Sequence, residues 1–86
     1  LPFPSLTEER RRELAKQCKA FAEESRVAIR AARRDANAAV EKLVKSENLP
    51  EDDERRAENE IQKMTDKYIG EINKIAEAKE KEIMEI

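Results

Sequence analysis

The chain has 86 residues, of which 44% are charged and 3% aromatic, and its formal net charge is −2. This composition predicts amphipathic helices rather than strands, and the length allows one small domain at most. Because the sequence has no histidine and a single cysteine, Ser-His and Cys-His nucleophiles and an internal disulfide are excluded. We therefore expect a protein that is not an enzyme, with no cofactor, no metal ion and no small-molecule substrate. No apolar run reaches 18 residues, so no membrane span is expected.

The first predicted element is an extended lead-in over residues 1–6. Pro2 and Pro4 favour it, because the residue before a proline is pushed out of the helical region. Thr7 is a suitable helix N-cap, and the two glutamates that follow it favour the positive end of the helix dipole. Nothing breaks the pattern before about residue 44, so we predict a first helix over about 7–44.

The second break in the chain is the stretch S-E-N-L-P-E-D-D. It predicts a turn over about 45–49 and a second helix over about 50–86, with Pro50 at the first helical position. At a rise of about 1.5 Å per residue each helix is longer than ~50 Å, and the two form a rod-like antiparallel hairpin. The predicted fold class is all-α.

Apolar residues recur every three or four positions in both predicted helices, as in antiparallel bundles. Six of them are expected to face inward: Phe21, Ala28, Ala32, Ile61, Tyr68 and Ile72. The apolar face of the first helix is wider than a single neighbouring helix can cover. The pattern therefore calls for a third helix or a coiled-coil dimer, and the residues alone do not separate these two arrangements.

Basic residues are concentrated in the first helix, since residues 8–34 carry a net charge of +4 and residues 35–86 a net charge of −6. Four arginines lie within nine positions of this region: Arg26, Arg30, Arg33 and Arg34. On an ideal helix they form a band about 100° wide on the face away from the predicted inward residues. The planar guanidinium of arginine binds phosphate with two hydrogen bonds, so the band is a candidate anion-binding surface.

Three interpretations of this band stay open on the residues alone. It is a surface for nucleic acid or another anion, a surface for a protein partner, or a solvated face with ion pairs such as Glu23 with Arg26. Aromatic residues are scarce around the band, so base stacking is not expected. Backbone and shape contacts to folded RNA are the better form of the nucleic-acid hypothesis.

Four stretches of the sequence are specific enough to suggest a family: L-P-F-P-S-L-T-E-E-R-R, E-E-S-R-V-A-I-R-A-A-R-R-D-A-N, E-D-D-E-R-R-A-E-N-E-I-Q-K-M-T-D-K and K-E-K-E-I-M-E-I. They resemble the C-terminal part of the ribosome recycling factor family, and the resemblance covers the whole chain. That family has a three-helix bundle with a small β-rich domain inserted between the first and second helices. The resemblance implies that residues 7–86 are two of the three bundle helices and that residues 1–6 lead in from the inserted domain.

The resemblance also implies a function. Members of the family bind in the intersubunit space after termination, and with elongation factor G they promote subunit splitting and release of mRNA and tRNA. The implied partners are the ribosomal RNA of the large subunit and elongation factor G, in the bacterial cytoplasm or in a plastid or mitochondrion. The RNA-facing arginines of the family correspond to Arg11, Arg30 and Arg33, with Arg26 and Arg34 in the same band.

The competing interpretation is a non-catalytic coiled-coil module that binds a helical protein partner through its apolar seam. The two functions differ in their dependence on salt, because phosphate contacts weaken steeply with ionic strength and apolar association does not.

Overall fold

The computed structural model describes residues 7–85, and this range contains two α-helices and no strand. Helix α1 spans Glu8–Ser46 and helix α2 spans Glu51–Glu85. The helices run antiparallel and form a rod that measures 71 × 15 × 15 Å. The predicted all-α hairpin is confirmed, whereas the predicted extended lead-in at 1–6 lies outside the described residues.

The start of α1 is stabilised by the side chain of Thr7. Its backbone is extended, with φ −66° and ψ 155°, and its Oγ1 accepts a hydrogen bond from the backbone N–H of Arg10 at 3.0 Å. Glu8 and Glu9 lie in the first turn, where a negative charge is favourable beside the helix dipole. The helix therefore begins directly after the residue that the sequence suggested as its cap.

Helix α1 ends at Ser46, two residues beyond the predicted end, with a left-handed residue and a 6→1 hydrogen bond of the kind found in Schellman motifs. Asn48 has φ 51°, in the left-handed region, which its short polar side chain tolerates better than most residues do. The N–H of Leu49 donates to the carbonyl of Val44 at 2.9 Å, and the N–H of Glu47 donates to that of Leu43 at 2.9 Å. The left-handed residue reverses the chain at the end of α1.

Helix α2 begins at Glu51, one residue after the predicted start. Pro50 lies just outside the helix, and its carbonyl accepts a hydrogen bond from the N–H of Asp53 at 3.1 Å. Four consecutive acids, which run from Glu51 to Glu54, fill the first turn. Proline suits this place because it needs no hydrogen-bond partner for an amide proton.

The contact between the helices is formed by small and branched side chains. On α1 the buried and half-buried apolar positions are Leu14, Ala15, Cys18, Ala22, Ile29, Ala31, Ala36, Val40 and Val44. On α2 the corresponding positions include Ala57, Ile61, Thr65, Ile69, Ile72, Ala76 and Ile83. Within residues 7–85 only Ala22 and Thr65 are buried, with 7% and 5% of their surface exposed. The hairpin alone therefore has very little core.

The predicted set of inward-facing residues is partly wrong. Ile61 and Ile72 are half-buried as expected, but Phe21 is 65% exposed and Tyr68 is 49% exposed. Two alanines of the predicted set, Ala28 and Ala32, are also exposed. The reason is the width of the apolar face of α1, because α2 packs on one flank of that face and not on its centre.

Gly70 offers a direct test of helix stability in α2. Its φ is not positive, and an added Cβ would meet no atom within 4 Å, so alanine fits without strain. We expect Gly70→Ala to raise the free energy of unfolding by roughly 1 kcal/mol, because glycine loses more backbone entropy in a helix. Urea denaturation followed by circular dichroism measures this change. Ala78→Gly, at an exposed site of the same helix, is the matched control and should lower stability by a similar amount. A Gly70→Ala variant no more stable than the parent would contradict this prediction.

Candidate nucleic-acid interface

One side of the hairpin is an open apolar face. It contains two neighbouring clefts between the helices, the first lined by Cys18, Phe21, Ala22, Ser25, Ile72, Ile75 and Ala76. The second cleft is lined by Ile29, Ala32, Arg33, Ala36, Ile61, Met64, Thr65 and Tyr68. Large side chains on this face are well exposed, with Ile75 at 62% and Met64 at 53%. We call these two clefts together the open apolar face.

Arg26 joins the two helices. Its Nη1 donates to Oδ1 of Asn73 on α2 at 2.7 Å, and its Nε donates to Oε2 of Glu23 at 3.2 Å. The Arg26 side chain is only 22% exposed, so most of its surface is already in contact with protein. The predicted ion pair between Glu23 and Arg26 is therefore present, and this arginine stabilises the hairpin.

Two further arginines of the predicted set also face α2. Nη1 of Arg11 donates to the backbone carbonyl of Met84 at 3.0 Å, near the open end of the hairpin. Arg33 is half-buried and lines the second cleft beside Ile61 and Tyr68. The structure therefore corrects the expectation that the arginines lie together away from the helix contact, because the face of α1 that meets α2 lies closer to them than the apolar spacing indicated.

Arg30 and Arg34 are the two arginines of the band that remain on the outer surface. Arg30 is half-buried as a residue, with 40% of its side chain exposed, and its Nη1 lies 3.5 Å from Oε1 of Glu23. Arg34 is exposed and forms no ion pair with any residue between 7 and 85. On an ideal helix these two side chains project from nearly the opposite side to Phe21 and Ala32, which belong to the open apolar face. We call Arg30 and Arg34 the basic face.

The start of α2 has the opposite charge. Arg55 pairs with Asp52, and Arg56 pairs with Asp53, so both basic groups there are neutralised by neighbouring acids. The pKa of Glu54 is raised from its ordinary value, first by desolvation and then by nearby carboxylates such as that of Glu58. The carboxylates of Glu58, Glu41 and Glu51, which add to this rise in the pKa, show that negative charge is concentrated at this end of the hairpin.

Among residues 7–85, no group of three or more cysteine, aspartate or glutamate side chains is arranged to hold a metal ion. No helix in the described range is long and apolar enough to cross a membrane.

The fold and the two faces define a class of protein, namely a long helical hairpin that presents basic charge on one side and exposed apolar side chains on another. The chain belongs to the ribosome recycling factor family, whose model matches residues 1–84. Over all 86 residues it is 56% identical to the ribosome-recycling factor of Burkholderia lata and covers 46% of that protein. It is 57% identical to that of Thioalkalivibrio sulfidiphilus and 55% identical to that of Methylobacillus flagellatus, with the same coverage. The chain thus spans about half the length of the curated relatives it matches, and the resemblance seen in the sequence is confirmed.

Proposed function

We propose that the chain acts in ribosome recycling by binding the ribosomal RNA of the large subunit through its basic face. In this role it occupies the intersubunit space after termination and, with elongation factor G, promotes subunit splitting and release of mRNA and tRNA. The observation that carries the proposal is the position of Arg30 and Arg34, which stand on the outer surface of a member of this family, away from the open apolar face. Guanidinium groups in such a position bind phosphate through charge-assisted hydrogen bonds.

The proposal assigns no catalytic residue to this chain, because GTP hydrolysis belongs to elongation factor G. Among the five predicted RNA-binding residues, Arg34 is exposed, and Arg30 is half-buried with 40% of its side chain exposed. Neither forms a hydrogen bond or an ion pair with the described residues of α2, which favours both as direct contacts. Arg11, Arg26 and Arg33 are also half-buried but face α2, which favours a role in shaping the surface. The relatives named above are bacterial, which supports the bacterial cytoplasm as the location.

We also propose that a third helix covers the open apolar face, as in a three-helix bundle. The exposed fractions of Phe21 and Ile75, 65% and 62%, support this, since large apolar side chains rarely cluster on a free surface. The curated relatives are about twice as long as this chain, so their remaining length is sufficient to supply such a helix. The same face is the observation that favours the second candidate function, a module that binds a helical protein partner.

A salt titration tests the proposed function. The 86-residue chain is joined to the rest of the Burkholderia lata relative, and its binding to purified large ribosomal subunits is measured at several salt concentrations. We expect the logarithm of the binding constant to fall with the logarithm of salt concentration by about 0.7–0.9 for each phosphate contacted. Binding that does not change with salt would contradict an arginine–phosphate interface and favour association through the apolar face.

A further inference from the structure

Glu23 lies between a fixed arginine and an outer one. Its Oε2 accepts the hydrogen bond from Nε of Arg26 at 3.2 Å, and its Oε1 is 3.5 Å from Nη1 of Arg30. Arg26 is in turn held by Asn73 on the other helix at 2.7 Å. The Glu23 carboxylate is therefore fixed through one oxygen and directed at the basic face through the other.

The two contacts of this carboxylate differ in strength. Its contact with Arg26 satisfies the geometry of a hydrogen bond, whereas its contact with Arg30 is an ion pair at a longer distance. Both Glu23 and Arg30 are partly exposed, at 57% and 40% of the side chain, so water and other anions reach this pair. An exposed ion pair of this kind contributes little energy, and a better anionic partner displaces it readily.

A carboxylate and a phosphate use the same donors of a guanidinium group. A carboxylate bound to Arg30 therefore disfavours binding of a phosphate there. The two groups compete for the same N–H donors, and their like charges repel each other. We propose that Glu23 is an internal competitor that holds Arg30 in the unbound protein and lowers the affinity of the basic face for phosphate. The RNA phosphate takes the place of the carboxylate at Arg30, and Arg26 is the positioning residue that keeps Glu23 there.

This proposal rests on the proposed function, because it assumes that Arg30 binds RNA phosphate. Its consequence is an attenuated affinity, which suits a factor that must leave the ribosome after each round. The same geometry permits the opposite role, in which Glu23 orients Arg30 and so strengthens binding. The two roles predict changes of opposite sign when the charge of Glu23 is removed.

The test is Glu23→Gln in the joined chain used for the salt titration, with large ribosomal subunits as the probe. Glutamine keeps the length of the side chain and accepts the hydrogen bond from Arg26, but it carries no charge. We expect the affinity to rise about two- to fivefold at low salt, the range that corresponds to loss of an exposed ion pair. The gain should shrink as salt rises, because added ions screen exposed charges.

Glu24→Gln is the matched control. It makes the same change in net charge at the next residue, which is exposed and forms no ion pair with any residue in 7–85. The Glu24 side chain also projects from a different side of α1. We expect it to change the affinity by less than the Glu23 variant does. In the Arg30→Ala background, Glu23→Gln should give little gain, because the competed group has been removed.

The outcomes separate this inference from the proposed function. Suppose that Arg30→Ala weakens binding, but that Glu23→Gln either lowers the affinity or changes it only as much as Glu24→Gln does. Glu23 is then not a competitor, and the inference alone is overturned. If Arg30→Ala leaves binding and its salt dependence unchanged, the proposed function itself fails at this residue. Circular dichroism and thermal melting of each variant exclude a loss of folding as the cause, since glutamine is as good a helix former as glutamate.

Discussion

Replacing Arg30 by alanine should weaken binding to the large ribosomal subunit about ten- to a hundredfold, since a charge-assisted hydrogen bond contributes roughly 1.5–3 kcal/mol. Arg34→Ala should act in the same direction. Each phosphate that the protein no longer binds should reduce the slope of the log–log salt plot by about 0.7–0.9 in magnitude. Arg30→Lys should restore only part of the affinity, because an ammonium group keeps the charge but not the planar pair of donors.

The stability of the fold should change little in the Arg30 and Arg34 variants. The ion pair that Arg30 forms with Glu23 lies at the surface, and pairs of this kind contribute about 0–1 kcal/mol. Arg55→Ala is the control, because Arg55 pairs with Asp52 in the acidic first turn of α2 and should contribute nothing to RNA binding. If the Arg30, Arg34 and Arg55 variants all bind alike, with one salt dependence, the basic face is only a solvated helix surface.

Arg33→Ala is expected to change folding stability as well as RNA binding, so it tests RNA binding less directly than the sequence predicted. The spacing of apolar residues predicted that Arg33 points away from the helix contact, so that its loss would leave folding unchanged. The structure instead places Arg33 half-buried in the lining of the second cleft, together with Ile61 and Tyr68. In such a place the hydrocarbon stem of an arginine is expected to cover apolar surface. We therefore expect this variant to lose stability as well as any contribution to binding, and the two effects must be measured separately.

Truncation of the exposed apolar side chains should have very different costs in two forms of the protein. In the chain joined to the rest of a relative, Phe21→Ala and Ile75→Ala should each lower the free energy of unfolding by about 2–5 kcal/mol, the usual cost of truncating a buried apolar residue. In the 86-residue chain alone the cost should be much smaller, because these side chains are 65% and 62% exposed there. Urea denaturation of both forms measures the difference.

Val27→Ala provides the control for this comparison. Val27 is also exposed, at 52%, but it does not line either cleft of the open apolar face. Its truncation should cost little in both forms. Equal costs for Phe21→Ala in the two forms would show that no helix covers this face. In the chain alone, the uncovered face should also cause self-association at high concentration, which analytical ultracentrifugation detects.

The ends of the helices were largely predictable because they depend on local chemistry. Thr7 caps α1 through its own hydroxyl, and Pro50 precedes the first turn of α2, so both signals come from a few adjacent residues. The end of α1 was placed two residues early, because the left-handed conformation of Asn48 permits the helix to continue to the turn. The family resemblance likewise depends on contiguous stretches of sequence.

The rotation of α1 against α2 was not predictable from the spacing alone. An alanine-rich helix has a broad apolar face, and the pattern does not show which flank of that face meets α2 and which flank stays exposed. The contacts of Arg26 depend on the same rotation of α1 against α2. Its partner Asn73 is 47 positions away in sequence, and only the register of the hairpin brings the two side chains together. No signal in the sequence marked Asn73 as part of this surface, whereas Glu23 was identified because it lies on the same helix.

The turn at Asn48 has a consequence for the order in which the hairpin assembles. Residues that meet near this turn are close in sequence, whereas Arg11 and Met84 are 73 positions apart, and the entropic cost of closing a loop grows with its length. The pairing of the two helices should therefore nucleate beside the turn and proceed like a zipper toward the distant end. Amide hydrogens near the start of α1 and the end of α2 should then exchange with solvent first, because that end opens without disturbing the rest.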